Sequence, residues 1–243
     1  DRWNKNSTAL FGGIAIFLSF IIPYAIFVKF DIASLGILVA GCLIFGLGIF
    51  DDIVHLKPYT KLLCQIIVAA LLVNFGIKIN IIPYPLISIP LTILWIVAIV
   101  NAFNLLDNMD GLSCGIGAIV GIVLFIFSIL NGNIAVGLPA LILAGSLLGF
   151  LRYNFNPAQI FMGDSGSMFI GFMLGAITMQ GTWKESTHLV MVLFMPMLIL
   201  AVPIFDTMFV TLMRSVNSRK VFQGGKDHIS HRMVVLGLSE KKT

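Results

Sequence analysis

The chain has 243 residues, of which 58% are hydrophobic and only 11% are charged. About a quarter of the residues of a typical soluble protein are charged, because its surface must be solvated, whereas a lipid-facing surface must not be. This composition excludes a water-soluble globular protein and places the chain in a bilayer. The net charge of +4 is better explained by orientation in a membrane than by binding to nucleic acid, which we do not expect as a partner.

Long uncharged runs predict an all-α, multispanning fold with about eight transmembrane helices, in a single integral-membrane domain over residues 1–243. The predicted helices, in chain order, are Ala9–Val28, Ile32–Phe50, Leu62–Ile77, Leu86–Leu106, Cys114–Leu130, Ile134–Leu151, Ser167–Gly181 and Leu189–Met213. Because the chain opens at Asp1 without a methionine, we expect it to be a fragment of a longer protein.

Basic residues are distributed unequally between the two sides that alternating helices would define. With a cytoplasmic amino terminus, all 15 Lys and Arg residues except Lys29, Lys78 and Lys184 lie on the cytoplasmic side. This is the asymmetry of the positive-inside rule. Most carboxylates fall on the same side, so the sequence predicts a multi-pass protein of the inner (cytoplasmic) membrane with its site facing the cytoplasm.

The first polar motif follows the second predicted helix and reads FDDIVHLKPYTKLLCQ. It contains Asp51, Asp52 and Lys61. Two carboxylates about 5 Å apart repel by about 3 kcal/mol at an effective dielectric constant near 20, and a bound cation or Lys61 would offset this repulsion. An ordinary solvated turn around Pro58 is the alternative.

The second motif, NAFNLLDNMDGLSCG, lies where the fourth helix leaves the bilayer. Asn101, Asn104, Asp107 and Asp110 recur every third residue, which on a helix would align them along one side. Amide and carboxylate oxygens in such a ladder suit a hard cation or the hydrogen-bonding edge of a polar ligand. A capped, polar helix end is the alternative.

The third motif, RYNFNPAQIFMGDSGSMFIG, places Asp164 at the start of the seventh helix. The free N–H groups of a helix start would bind phosphate, glycine would let the backbone approach it, and Asp164 could hold Mg²⁺ against the anion. Helix capping by Asp164 or Ser165 is the alternative, and both functions can coexist.

The fourth motif, GGKDHISHRM, follows the last helix as a basic loop. Zinc binding is disfavoured, because His228 and His231 lack a third ligand and have basic neighbours. The residues fit an anion clamp better, with Arg232 as a bidentate fork, and a lipid-headgroup anchor is the alternative.

Asp206 lies inside the last predicted span, where a central aspartate costs about 2.5–3.5 kcal/mol on insertion scales. We therefore predict that it faces the bundle interior and either completes the site or pairs with a basic group.

Taken in order, the four motifs resemble those of the polyprenyl-phosphate N-acetylhexosamine-1-phosphate transferases, glycosyltransferase family 4. The resemblance implies transfer of a sugar 1-phosphate, with GlcNAc 1-phosphate expected, from a UDP-sugar to a polyprenyl phosphate such as undecaprenyl phosphate. UMP is the second product, and the step opens the synthesis of a cell-envelope polysaccharide. It also implies Mg²⁺ or Mn²⁺ as cofactor and membrane lipid around the protein, and it leaves a homodimer open.

Residue roles follow from the same resemblance. It implies metal binding by Asp164 with Asn104, phosphate contact by Lys61, and deprotonation or orientation of the lipid phosphate by Asp51 and Asp52. The implied substrate-binding residues are Asn104, Asp110, Asn154 and Phe161, with Phe161 as a stacking surface near the uracil. The implied polar wall is completed by Asp107, His228, His231 and Arg232.

Two positions depart from the family pattern. Asn108 stands where the family often has glycine, and Ser230 stands where another histidine is common. The alternative function, a multispanning transporter of an anionic solute, would place its polar groups near the midplane of the membrane, whereas these motifs lie at one interface.

Overall fold

The computed structural model describes residues 10–80, 82–180, 196–216 and 228–243. Over these ranges the regular structure is helical, which confirms the all-α class. The helices are α1 Gly12–Phe27, α2 Ile32–Val54, α3 Pro58–Asn74, α4 Pro85–Leu106, α5 Leu112–Leu130, α6 Ile134–Asn154, α7 Gly163–Gln180, α8 Ala201–Val216 and α9 Ile229–Val235.

Several of these helices are apolar enough for a bilayer. Among the described residues, α2, α4, α5 and α6 are long and apolar enough to cross a membrane, and α1 and α3 are shorter apolar helices. The chain is thus a multi-pass membrane protein. The eighth predicted span, Leu189–Met213, begins outside the described residues, which resume at Pro196.

The polar motifs lie within helices to a greater extent than the hydropathy pattern predicted. α2 continues past Phe50 to Val54, and α3 begins at Pro58 instead of Leu62. α7 begins at Gly163 instead of Ser167. The predicted ends were wrong because hydropathy marks the part of a helix that lies in lipid, whereas backbone hydrogen bonds continue into the interface. Pro58 suits the first helical position, where no intrahelical N–H bond is needed.

α7 lies at the centre of the bundle. It packs against α1, α2, α4, α5 and α6, and its residues from Ser165 to Thr178 are all buried. Glycines allow these close approaches: a Cβ on Gly48 would lie 2.4 Å from the Cα of Ser165, and one on Gly171 would lie 2.8 Å from the carbonyl oxygen of Ile99. A helix buried on all sides belongs to the interior of a bundle.

Hairpin connectivity brings the polar motifs to one end of this bundle. The turns α2–α3, α4–α5 and α6–α7 all lie at that end. Lys61, in the first turn of α3, contacts Asp51 near the end of α2 and Asn104 near the end of α4, and it also contacts Asp164 at the start of α7. The central position of α7 places Asp164, in its first turn, among these three turns.

The segment around His228 differs from its prediction. We expected a basic loop, but Ile229–Val235 form the short helix α9. Gly224, Gly225 and Lys226, which were part of the predicted anion clamp, lie outside the described residues.

Candidate active site

Lys61 lies at the centre of a polar cluster formed by four helices, α2, α3, α4 and α7. Its Nζ is 2.7 Å from Oδ2 of Asp51, 2.7 Å from Oδ2 of Asp164 and 3.1 Å from Oδ1 of Asn104. The side chains of Lys61 and Asp51 are 13% and 6% exposed, whereas that of Asp164 is 38% exposed. The ammonium group therefore compensates two carboxylates, one buried and one open to the surface. We call Asp51, Asp52, Lys61, Asn104 and Asp164 the Lys61 cluster.

Asp52 caps α7 from a neighbouring helix. Its Oδ1 accepts a hydrogen bond from the backbone N–H of Asp164 at 2.7 Å, and its Oδ2 accepts one from the N–H of Ser165 at 3.0 Å. The carboxylate thus satisfies two free N–H groups at the positive end of the helix dipole. The expectation that these N–H groups would be free to bind phosphate is wrong, because Asp52 already occupies them.

This cap depends on the glycine before Asp164. Gly163 has a φ of +70°, a left-handed conformation that favours glycine. A Cβ there would also lie 2.7 Å from Oδ2 of Asp52. Gly163 therefore allows the Asp52 carboxylate to approach the start of α7.

Asp51 and Asp52 are adjacent in sequence but bind different partners. Oδ2 of Asp51 contacts Lys61, and its Oδ1 accepts a hydrogen bond from the N–H of Leu56 at 2.7 Å, across the turn between α2 and α3. The repulsion that the sequence predicts between the two carboxylates is thus offset. Lys61 compensates Asp51, and the N–H groups at the start of α7 compensate Asp52.

Asn104 links Lys61 to Asp164. Its Nδ2 donates to Oδ1 of Asp164 at 2.8 Å and to Oγ of Ser167 at 3.0 Å, while its Oδ1 accepts from Lys61. The orientation of the amide is fixed, because an ammonium group requires an oxygen acceptor. In this arrangement Asn104 donates to Asp164 and its oxygen faces Lys61, and the predicted metal pair of Asp164 and Asn104 stays a prediction.

The predicted ladder of four polar residues on α4 is wrong. α4 ends at Leu106, so Asp107 is its C-cap and Asp110 lies in the following turn. Asn101 bonds instead to Oε1 of Gln65, at 2.6 Å, one helical turn deeper than Lys61. The spacing by threes would align all four residues only on a helix that continues through Asp110, whereas α4 ends at Leu106, as the hydropathy pattern predicted.

The turn after α4 contacts the segment before α7. Oδ2 of Asp110 accepts a hydrogen bond from the N–H of Ala158 at 2.9 Å. The buried side chain of Asn154 accepts from the N–H of Gly111 at 3.2 Å and donates to the carbonyl oxygen of Ile160 at 2.9 Å. Asp110 and Asn154, both predicted to bind substrate, thus join the second and third motifs.

The start of α1 supports the same segment. The N–H groups of Gly12 and Gly13 donate to the carbonyl oxygens of Phe161 and Met162, at 2.8 and 2.9 Å. The Phe161 side chain is half-buried. Its predicted place near a uracil ring stays a prediction.

Asp206 of α8 and His228, the residue before α9, form a buried pair. Oδ2 of Asp206 is 2.7 Å from Nδ1 of His228, and both residues are at most 5% exposed. The prediction that Asp206 faces the interior, with pairing to a basic group as one of two options, is confirmed. His231 is also buried, and the guanidinium of Arg232 lies 4.9 Å from the ring centroid of Phe209, so the anion-clamp role of Arg232 stays a prediction.

Ser230 joins α9 to the turn after α4. Its Oγ donates to Oδ1 of Asn108 at 2.8 Å, and Nδ2 of Asn108 donates to the carbonyl oxygen of Leu105 at 3.0 Å. The two positions that depart from the family pattern are therefore in direct contact. The segment 104–111 contacts the first motif through Asn104, the third through Asp110 and the fourth through Asn108.

Two contributors to this site, Ser167 and Gln65, were not predicted from the sequence. Ser167 lies nearly one turn after Asp164 on α7 and supports Asn104, and the Ser–Gly–Ser spacing after Asp164 was the available signal. Gln65 follows Lys61 by one turn, which places both on the same face of α3.

Comparison with known proteins places these motifs in context. The model for "Glycosyl transferase family 4" matches residues 34–182. The chain is 36% identical to the probable undecaprenyl-phosphate N-acetylglucosaminyl 1-phosphate transferase of Bacillus subtilis, over 95% of this chain and 66% of that protein. It is 35% identical to the decaprenyl-phosphate N-acetylglucosaminephosphotransferase of Mycobacterium leprae, over 97% of this chain and 68% of that protein.

A relative named for a different sugar also matches. The chain is 31% identical to the phospho-N-acetylmuramoyl-pentapeptide-transferase of Staphylococcus aureus, over 100% of this chain and 81% of that protein. The chain spans about two thirds of the length of its Bacillus and Mycobacterium relatives.

Proposed function

The chain belongs to glycosyl transferase family 4, and we propose that it transfers a sugar 1-phosphate, GlcNAc 1-phosphate by first choice, from a UDP-sugar to a polyprenyl phosphate. The observation that carries the proposal is the Lys61 cluster, in which Asp51, Asn104 and Asp164 from three helices meet one ammonium group. The names of the Bacillus and Mycobacterium relatives support the choice of sugar and of lipid phosphate.

The reaction exchanges one phosphoanhydride bond for another. An oxygen of the polyprenyl phosphate attacks the phosphorus that carries the sugar, and the bond from that phosphorus to the oxygen of UMP breaks. The products are polyprenyl-pyrophosphoryl-sugar and UMP. Both substrates are anions, so the site must supply positive charge where they meet.

Lys61 would supply part of this charge by contacting a phosphate oxygen. Asp51 holds the ammonium group in place at 2.7 Å. A phosphate monoester is already ionised at neutral pH, so the attacking oxygen requires orientation more than deprotonation. Asp52 caps the start of α7, because both of its oxygens accept hydrogen bonds from backbone N–H groups there. We propose that it positions Asp164.

The donor chemistry at Asp164 fits a divalent cation. Mg²⁺ is commonly bound by one or two carboxylates, with substrate phosphates and water completing its shell. The carboxylate of Asp164 is 38% exposed beside Lys61, so Asp164 would hold Mg²⁺, or Mn²⁺ in its place. A bound cation would offset negative charge that develops on the pyrophosphate oxygens.

The distribution of charge supports a cytoplasmic site in an inner (cytoplasmic) membrane. The Lys61 cluster lies at the end of the bundle where α2 meets α3, and the sequence assigns this end to the side rich in Lys and Arg. UDP-sugars are cytoplasmic metabolites, so the orientation agrees with the proposed donor. A transporter is not favoured, because the polar cluster lies at one end of the helices and not at their middle.

UMP release tests the proposal. The full-length protein in lipid nanodiscs would be supplied with undecaprenyl phosphate, Mg²⁺ and either UDP-GlcNAc or UDP-MurNAc-pentapeptide. We expect UMP from UDP-GlcNAc and at least a 100-fold loss in Asp164→Asn, an order of magnitude typical for a group that stabilises transition-state charge.

Asp31→Asn is the matched control, because Asp31 caps α2 at the opposite end of the bundle and asparagine caps about as well. It should leave the rate near that of the wild type. UMP from UDP-MurNAc-pentapeptide alone would reassign the sugar. No UMP from either donor, or an Asp164→Asn variant that matches the wild type, would refute the proposed function.

A further inference from the structure

A buried carboxylate on α8 binds the start of α9 twice. Oδ2 of Asp206 is 2.7 Å from Nδ1 of His228, and its Oδ1 accepts a hydrogen bond from the N–H of Ile229 at 3.0 Å. Burial of a charge at this position is costly unless it is fully hydrogen-bonded. Both oxygens of Asp206 are used on one segment, so the contact fixes that segment against α8.

The geometry decides which nitrogen of His228 is engaged. A carboxylate can only accept, so Nδ1 donates and carries a proton. The opposite nitrogen, Nε2, is then the one that remains for another partner, as in other histidines held by a carboxylate. The pair therefore sets both the tautomer and the orientation of the ring.

α9 is held from a second side by the turn after α4. The Ser230 hydroxyl donates to Asn108 at 2.8 Å, four residues beyond Asn104 of the Lys61 cluster. The Arg232 guanidinium lies over Phe209 of α8. These contacts hold the start of α9, which His228 precedes, between α8 and the segment 104–111, which carries residues of the candidate active site.

We propose that Asp206 is a positioning residue that holds His228 with Nδ1–H turned to α8 and Nε2 directed to a phosphate of the anionic substrates, to which Nε2 donates when the ring carries a proton on both nitrogens. The inference rests on the proposed function for the identity of that phosphate. The predicted protonation of Nδ1 and the predicted orientation of the His228 ring do not depend on the proposed function. Asp206 itself does not touch substrate and acts through His228.

A double-mutant cycle on UMP release tests the inference. We expect Asp206→Ala to lower kcat about 10- to 100-fold, the range found when an outer partner of a histidine is removed in metal sites, with little change in KM for UDP-GlcNAc. In a His228→Ala background the same substitution should cost almost nothing more, because the group that it orients is gone. Losses that multiply would mean that Asp206 does not act through His228, and would overturn the inference.

Thr207→Val is the matched control, since Thr207 is the next residue on α8 and its buried hydroxyl makes no hydrogen bond among the described residues. It should leave kcat unchanged. Asp206→Asn covers the case in which Asp206→Ala does not fold, because asparagine keeps the size and one acceptor, and we expect it to have an intermediate kcat. A wild-type kcat in Asp206→Asn, with Asp206→Ala unfolded, would assign Asp206 to folding alone.

A spectroscopic measurement separates this inference from the proposed function. In protein labelled with ¹⁵N-histidine, the signals of the four histidines would be assigned with His228→Gln. We expect a proton on Nδ1 of His228 in the wild type and loss of that preference in Asp206→Asn. Absence of UMP release with this signature present would refute the proposed function only, whereas an unchanged ring in Asp206→Asn would refute the positioning role.

Discussion

At the scale of single residues, the candidate site is organised by a lysine that has three oxygen partners. The adjacent carboxylates of Asp51 and Asp52 predict a compensating cation nearby, and Lys61 is that cation for Asp51. Its second carboxylate partner, Asp164, is 103 residues away in the chain. The cluster therefore depends on Lys61 more than on either carboxylate alone.

Removing the lysine should expose this dependence. Lys61→Met leaves Asp51 buried without its cation, and breaking a buried ion pair in this way costs roughly 3 kcal/mol or more. We expect a thermal midpoint several degrees below that of the wild type in detergent, together with loss of UMP release.

Lys61→Met with Asp51→Asn is the companion variant. It should recover part of the lost thermal midpoint, because the uncompensated charge is removed, but it should not recover activity. An unchanged midpoint in Lys61→Met would show that the Lys61–Asp51 contact does not stabilise the fold.

At the scale of elements, the position of Asp164 is set by how closely other helices approach the start of α7. Asp52 of α2 caps that start, the first N–H groups of α1 support the segment before it, and Gly48 of α2 lies against Ser165. Small residues at these contacts let the backbones meet, as in other membrane helix interfaces.

Two glycines on α2 provide a matched test of this approach. A Cβ on Gly48 would lie 2.4 Å from the Cα of Ser165, whereas one on Gly46 would meet nothing within 4 Å. Because backbone atoms cannot yield as a side chain can, we expect Gly48→Ala to cost about 1–3 kcal/mol. Gly46→Ala should be neutral or slightly stabilising, since alanine favours a helix over glycine by about 1 kcal/mol. Thermal melting compares the two, and equal midpoints would contradict the close α2–α7 contact.

A second test at this scale concerns the contact between α9 and the turn after α4. Ser230→Ala and Asn108→Ala each remove one partner of the 2.8 Å hydrogen bond. A double-mutant cycle on thermal stability should give a coupling energy of about 1 kcal/mol, the usual net value of such a bond. Strictly additive effects would show that the bond does not dock α9.

At the scale of the whole molecule, the charge map assigns opposite sides of the membrane to the two ends of α3. Lys57 and Asn80 flank this helix and are both exposed. With Cys42, Cys64 and Cys114 replaced by alanine, Asn80→Cys should react with a membrane-impermeant maleimide in intact spheroplasts. Lys57→Cys should react only after permeabilisation. The reverse pattern would invert the proposed orientation, and equal labelling of both would contradict a spanning α3.

Composition and local patterns were enough to predict the lipid environment, the helical class and the four polar motifs. These follow from local properties: composition selects lipid over water, uncharged runs mark the spans, and clustered polar residues stand out against an apolar chain. Hydropathy could not locate the helix ends at Val54, Pro58 and Gly163, because helices continue beyond the lipid.

Which side-chain atoms contact each other depends on how the helices pack. The packing brings Asp51 into contact with Lys61 and Asp52 into contact with the start of α7. It also orients the Asn104 amide towards Asp164 and pairs Asp206 with His228. Each of these contacts joins different helices, and the Asp52–Ser165 bond spans 113 residues. A local sequence pattern cannot distinguish Asp51 from Asp52. The two carboxylates differ only because the packing around α7 gives each of them a different partner.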